Sequence, residues 1–572
     1  MQDKKEFLKT TARLKAIILP EEKKPEAVEA EVVQEEEAAF SGQSVLRAAL
    51  IMMVIHMVSR ILGMAREILI TQHFGASRET DAFFTAELIC VLFPMLFGES
   101  LAVIMVTIFS EYRAKKEEDT AWKIANSVFH LSMVILAVGA GLIYFLSPYL
   151  IPLVYSFDQI TVQYVIQLIG YMLPIVIFVV LMELAIGIFE AHHHFTLPST
   201  YFVIINSFII TFIVILDGYY NLGIRSAAFG YTAGVIFTAL LFWTVLFKKT
   251  GKYSFSLNWR HEGVRKVFIL LVPLFLAKCS YMLLGLIDQL FASTLEKGSL
   301  SALTYGYMLF FLVPSFFILA LQKAFFPTLS DHIQDGEKEE ASELFHKVID
   351  LLGFLVIPLS IYFFLFSESI VRIIFERGEF TEHATYLTSQ SLAFYSVGML
   401  FAASVELTKA VFFAFQNTRI PFITQILMIL LNTALNFLLI AKYQVAGLAL
   451  ASSISEGVIV LLLLYLLHQK YMALDILGFA KSFLALALVS AIGVSVAYGA
   501  DWKLREWYQP HGSVEELAVM AVSFTLGALI YLLLSFALRL YATQLIWEIL
   551  DERILSKFSF WRNRQSAKKE DS

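Results

Sequence analysis

Two arginines and a glutamate interrupt an apolar run that begins near Val45, in the segment Ser59-Arg60-Ile61-Leu62-Gly63-Met64-Ala65-Arg66-Glu67. A charge at membrane depth costs roughly 2.5–3.5 kcal/mol on insertion scales, so such residues face a bundle interior, a water-filled cavity or a substrate path. The alternative is an interfacial arginine snorkelling to headgroups. Arg60 and Glu67 are seven residues apart and share nearly one helix face, with Arg66 about 120° away. Gly63 between them allows a bend or a close approach. Further along, Asp81, Glu87, Glu99 and Glu183 punctuate the first half of the chain, and Lys278, Asp288, Lys323, Glu406 and Lys409 the second. Guanidinium and ammonium groups are the usual partners of phosphate oxygens, so a path lined by these cations suits an anionic headgroup. The carboxylates then hold the cations in place or bind a coupling ion. For any one residue a structural ion pair is an equal reading, and Glu406 and Lys409, at i and i+3, are spaced to pair with each other. Taken together, the set reads as a polar translocation path.

Those residues need a membrane scaffold, and the composition supplies one. Of 572 residues 58% are apolar, 51 are Phe and only 16% are charged. Apolar stretches of about 20 residues, each able to span ~30 Å of hydrocarbon, recur from Val45 to Tyr541. The reading is an all-α polytopic membrane protein with fourteen transmembrane helices, starting near residues 45, 80, 121, 161, 197, 223, 263, 299, 343, 383, 421, 445, 477 and 515. Alternate connections carry Arg113-Lys115-Lys116, then Lys248, Lys249, Lys252, Arg260, Arg265 and Lys266, then Lys338 and Lys347, Arg419, and Lys470. The intervening ones, including Pro148 to Gln159 and Asp217 to Gly223, are charge-poor, which places both termini in the cytoplasm. Arg372, Arg377, Lys503 and Arg505 run against this bias without outweighing it. Residues 1–42 form an acidic tail, read as disordered, and 546–572 a basic one. The net charge of -6 is dispersed in loops and tails and forms no basic face for nucleic acid.

The chain also repeats itself. Phe189-Glu190-Ala191, Pro198, Asn206 and Ala233-Gly234-Val235-Ile236 are echoed by Phe412-Phe413-Ala414, Pro421, Asn432 and Glu456-Gly457-Val458-Ile459, with an offset of 223 residues at Ala191/Ala414, Pro198/Pro421 and Gly234/Gly457. Six helices separate the copies, an even number, so the halves share one orientation. The expected architecture is two parallel six-helix lobes, 43–250 and 251–471, around a central cavity, with two extra helices in 472–545.

No enzyme signature is present. There is no phosphate loop or Walker lysine, no catalytic constellation, and no motif for a metal or cofactor. His192-His193-His194 precedes Pro198 at a helix end and reads as a solvated, headgroup-facing cluster rather than a metal site. Cys90 and Cys279 fall in apolar spans and define no disulfide framework.

At these residues the chain resembles the MurJ/MviN family of lipid II flippases, in the multidrug/oligosaccharidyl-lipid/polysaccharide exporter superfamily. The resemblance runs from about Val45 to Tyr471. It is carried by Ser59 to Arg66, Phe74-Gly75-Ala76, Thr80-Asp81-Ala82-Phe83-Phe84, Glu99 and Ser110-Glu111-Tyr112. It continues through Ile287 to Ser293 with Gly298-Ser299, Pro327-Thr328-Leu329-Ser330, Arg377-Gly378-Glu379-Phe380-Thr381, and Phe412-Phe413 with Gln416 to Pro421. The resemblance implies export of an undecaprenyl-diphosphate-linked peptidoglycan precursor across the bacterial cytoplasmic membrane by alternating access, without ATP, and a working association with the cell-wall synthesis machinery. It implies functional roles for Arg60, Arg66 and Asp81. With the residue reading it gives a substrate-binding set of Arg60, Arg66, Asp81, Glu99, Lys278, Asp288, Lys323 and Lys409. Several arginines of the family are absent: Pro94-Met95 stands where a pair is usual, Gly306-Tyr307-Met308 replaces Ala-Asp-Arg, Glu406 replaces a lysine, and Phe415 replaces an arginine. Those departures leave open another polyprenyl-diphosphate-linked glycan, such as an exopolysaccharide or teichoic-type unit, and more remotely an ion-coupled multidrug exporter.

Overall fold

The computed structural model describes residues 42–250, 252–540 and 542–544, with side chains from Ile51 onward except at 249, 250, 277, 280, 281 and 319. The expected acidic and basic tails lie outside the described residues. Helices account for nearly all of the rest, as a chain without water to satisfy its backbone requires.

The first lobe begins with α1 (Gly42–Phe74), followed by α2 (Arg78–Glu87) and α3 (Phe93–Ala114). One π turn, Leu88–Leu92, joins α2 to α3. It lies immediately before Pro94, whose missing N–H removes a rung from the α-helical ladder. Next come α4 (Glu118–Val154), then α5 (Gln159–Met172) and α6 (Ile175–Ala191), which meet at a 44° bend. The lobe closes with α7 (Tyr201–Phe212), the short α8 (Gly218–Tyr220) and α9 (Arg225–Thr250). The second lobe repeats this plan in α10 (Glu262–Ala292), α11 (Ser299–Gln334), α12 (Lys338–Leu365) and the short α13 (Ser367–Phe375). Then α14 (Glu382–Val397) and α15 (Met399–Ala414) meet at a 47° bend, and α16 (Arg419–Lys470) is broken at Gln444. The two extra helices, α17 (Ile476–Tyr508) and α18 (Ser513–Ala537), pack on each other and on α12.

Among the described residues nine helices are long and apolar enough to cross a membrane, or eleven when each bent pair is one span. The expected fourteen differs at three places. The 52-residue α16 passes as one helix although Gln444 has a non-helical backbone. The other two are α1 and α10, which at 33 and 31 residues are long enough to span ~30 Å of hydrocarbon but whose side chains are described only in part.

Left-handed residues mark the repeat in three dimensions. Gly75 and Gly298, His193 and Gln416, and Asn221 and Gln444 all have positive φ, and each pair is 223 residues apart. At the middle pair the helix ends match bond for bond. The His194 N–H donates to the Phe189 carbonyl at 2.9 Å, and Asn417 donates to Phe412 at the same distance. Packing repeats as well: α1 lies on α7 as α10 lies on α16, and α3 lies on α6 as α11 lies on α14 and α15. The lobes are two copies of one six-helix unit, which places α1 and α10 in equivalent positions beside the interface.

Candidate functional site

Arg66 is held on the buried side of α1. Its Nε donates to Glu67 Oε1 at 2.9 Å, a terminal nitrogen makes a second bond to the same oxygen, and Nη1 reaches Asn206 Oδ1 on α7 at 3.2 Å. Glu67 is 3% exposed, and its second oxygen has no partner among the described residues. Glu87 on α2 and Tyr231 on α9 lie within electrostatic reach of the guanidinium. The result is a partly buried polar knot in which one cation faces several acids or acceptors.

Arg60 differs. It is exposed, and its side chain has no partner among the described residues. Yet it shares nearly one helix face with Glu67. At the level of Glu67 that face is closed by the second lobe, since Tyr305 of α11 lies within electrostatic reach of both Glu67 and Asp81. Two turns away the same face is exposed at Arg60. Along this face α1 thus passes from uncovered at Arg60 to covered by the second lobe at Glu67.

The covered end is a lock built from two helix termini. The α1–α2 turn of the first lobe meets its repeat equivalent, the α10–α11 turn of the second. Asp81 accepts hydrogen bonds from the Gly298 N–H at 2.7 Å and from the Ser301 N–H at 2.8 Å and hydroxyl at 2.5 Å. It thus caps α11 from the other lobe, placing a carboxylate where a helix N-terminus presents unpaired N–H groups. Gly298 must be glycine for two reasons: its φ is +86°, and a Cβ would lie 2.3 Å from the Ala76 carbonyl oxygen. Beside it the Glu379 N–H donates to the Gln72 carbonyl at 2.9 Å.

Between the ends, Lys278 on α10 donates to Glu99 on α3 at 2.7 Å. This is an ion pair across the lobes with both side chains part-exposed. Glu183 on α6, 5% exposed, lies within electrostatic reach of both. At the opposite end Lys266 bonds Glu111 at 2.7 Å, again joining α10 to α3.

The remaining expected residues are distributed unevenly. Lys323 on α11 is exposed and has no side-chain partner among the described residues. Asp288 is enclosed in the second lobe by Asn436 at 2.8 Å and Ser452 at 3.1 Å, and Asn432 bonds both of these. Lys409 is 1% exposed and donates to Glu406 at 2.9 Å and to Gln425 at 3.0 Å, so the i, i+3 pair does form. The histidine cluster divides. His193 and His194 are exposed, but His192 is packed against Phe109 and Trp122, with ring centroids 4.9 and 6.2 Å away, and is not headgroup-facing. Nothing in the sequence pattern singles out Asn436, Ser452, Ser301, Tyr231 or Tyr305. Asn206 and Asn432 stood out only as markers of the repeat, and each proves to be the α7 or α16 partner of a charged cluster on α1 or α10.

A model of the lipid II flippase MurJ family matches residues 70–523, about four-fifths of the chain. The chain belongs to that family. Family relatives include the probable lipid II flippase MurJ of Buchnera aphidicola subsp. Schizaphis graminum, 27% identical over 431 residues, covering 75% of this chain and 84% of that one. The lipid II flippase MurJ of Burkholderia cenocepacia is 25% identical over 514 residues, covering 85% and 96%. Among solved structures, a lipid II flippase MurJ in an inward closed conformation superposes with a TM-score of 0.71 at 25% identity, covering 86% of this chain and 99% of that one. An inward-facing multidrug resistance MATE family transporter of the MOP superfamily superposes at 0.60 with 13% identity and shares the fold. MurJ proteins are transporters rather than enzymes, and this chain is a multi-pass membrane protein of that kind.

Proposed function

We propose that the chain flips lipid II between the leaflets of the bacterial cytoplasmic membrane by alternating access, with both termini in the cytoplasm. The family match across residues 70–523 carries this reading. The geometry supplies its parts. A transporter of this type needs two rigid bodies, contacts at each end that exchange, and cations able to meet a diphosphate. The α10–α11 and α1–α2 turns are one closing contact, centred on Asp81. The Glu111–Lys266 and Glu99–Lys278 bridges join the lobes away from that contact and are formed together with it here, so alternating access requires one set to open while the other holds. With the termini cytoplasmic, the Asp81 lock lies at the outer face, the Glu111–Lys266 bridge at the inner one, and Arg60 on the uncovered part of α1.

In this reading Arg60 and Lys323, both exposed, make the first phosphate contacts, and Arg66 and Lys278 follow by exchanging Glu67 and Glu99 for the diphosphate. Glu99 thus acts as a counter-ion in waiting. Asp81, Asp288 and Lys409 act by holding elements in place. An anionic lipid leaving a negative cytoplasm gains about 2.3 kcal/mol per charge per 100 mV, so the membrane potential drives export. The test is complementation: depletion of the lipid II flippase in a bacterial host, with rescue by this chain and by its Arg66→Ala variant. Rescue by the wild type alone supports the reading. Failure despite normal membrane insertion sinks it in favour of another polyprenyl-diphosphate-linked glycan.

A further inference from the structure

The connection between the lobes, residues 252–261, is an extended strap laid along α4. Asn126 Nδ2 donates to the Lys252 carbonyl at 2.8 Å, the Ser127 and Ser256 hydroxyls bond at 2.7 Å, and His130 Nε2 meets the Tyr253 hydroxyl at 3.2 Å. With its polar groups tied to α4, the strap leaves Phe255 72% and Trp259 64% exposed. Aromatic side chains so placed at the end of a span belong at the headgroup level of a bilayer.

Beside Trp259 opens a cavity of about 470 Å³. One wall is Leu131 and Ile135, successive turns of α4, and the other is Phe268, Ile269 and Val272 of α10. Arg265 stands at the mouth on the same stripe of α10, one turn before Ile269. Its guanidinium is exposed and has no partner among the described residues, whereas its neighbour Lys266 is bound to Glu111. Arg260 lies over the Trp259 ring at 5.1 Å and adds a second positive charge. The trough is thus apolar along its length and cationic at the end where headgroups lie.

We propose that this trough is a binding site for an anionic glycerophospholipid. Arg265 takes the headgroup phosphate, Trp259 packs over the glycerol region, and an acyl chain lies between α4 and α10. Because α4 belongs to the first lobe and α10 to the second, the bound lipid bridges them and favours the arrangement in which these helices adjoin.

The experiment uses the full-length protein, delipidated in neutral detergent and titrated with phosphatidylglycerol carrying brominated chains, with tryptophan quenching as the readout. The difference between wild type and Trp259→Phe isolates the signal at the trough. That signal saturates, and Arg265→Gln raises the half-saturating mole fraction about fivefold. Arg265 is exposed and unpaired, so the variant melts with the wild type. Brominated phosphatidylcholine gives no saturating component. Equal saturation by phosphatidylcholine, or an unshifted curve in Arg265→Gln, overturns the proposal. So does displacement of phosphatidylglycerol by an equal mole fraction of farnesyl diphosphate, which assigns the trough to the diphosphate of a transported lipid.

Discussion

Asp81 and Ser301 lie 220 residues apart and in different lobes, yet one carboxylate oxygen of Asp81 accepts both the backbone N–H and the hydroxyl of Ser301. A helix cap is normally local; here the first lobe supplies it to the second. Separating the lobes at this end therefore strips the cap from α11 and exposes its N–H groups, so opening is coupled to helix-terminus chemistry.

Replacing Asp81 by Ala removes that cap while leaving both lobes otherwise intact. Loss of a capping side chain costs about 0.5–2 kcal/mol, and here it falls on the contact between lobes. The variant is expected to insert normally, to melt at a lower temperature in detergent, and to label faster at an Ala76→Cys thiol with a membrane-impermeant maleimide. Asp81→Asn keeps an acceptor and should fall between the two. Unchanged labelling in Asp81→Ala would assign closure to the Gly378–Glu379 contact with Gln72 instead.

Much of this was legible from the chain alone because hydrophobic length and repeat spacing are local signals. The 223-residue offset emerged from Pro198/Pro421 and recurs in the left-handed residues Asn221 and Gln444. What the sequence withheld was partnership. Lys278 and Glu99 are 179 residues apart and Asp288 and Ser452 are 164 apart, and no periodicity reports such pairings. By residue type and spacing alone, buried charge forms one set facing one path. The structure sorts it by neighbour: Lys409 and Asp288 are enclosed by Gln425, Asn436 and Ser452, while Arg60 and Lys323 are left uncovered.

The Glu99–Lys278 pair is tested by reversing it. Glu99→Lys alone places two cations together between α3 and α10, and Lys278→Glu alone places two acids there beside Glu183. Each single variant is expected to lose stability and transport, and the double swap to regain the stability. A coupling of about 0.5–3 kcal/mol in a double-mutant cycle of detergent melting marks a direct interaction. Additive effects would mean the pair is not formed in the resting protein.

The Asp158 contact gives a pH prediction outside the spans. Hydrogen bonds from the Thr161 hydroxyl and backbone N–H, with Lys297 and Arg78 nearby, hold the Asp158 carboxyl down to about 2. Its Oδ2 is 2.9 Å from Arg78 and 3.4 Å from Lys297, the latter in the second lobe. A depressed carboxylate stabilises the folded state above its unfolded value near 4 and loses that contribution as pH falls toward 2. The protection factor against hydrogen exchange at the Asp158 turn should therefore be flat from pH 8 to 5 and fall only below about 4. Asp158→Asn should remove the acid step; a midpoint near 6 would contradict the assignment.

Arg60 and Arg66 should separate transport from stability. Arg60 is exposed and unpaired, so Arg60→Ala is expected to melt with the wild type while losing a charge-assisted phosphate contact. Such a contact is worth about 1.5–3 kcal/mol, or roughly ten- to a hundredfold in lipid II flipping by reconstituted vesicles. Arg66→Ala instead strands Glu67, which is 3% exposed, and should cost both stability and transport. Adding Glu67→Gln removes the stranded charge and should recover the melting temperature without the flipping. If Arg60→Ala transports like the wild type, the open face of α1 is not where the headgroup first binds. If the Arg66→Ala, Glu67→Gln pair transports normally, the knot on α1 is structural only.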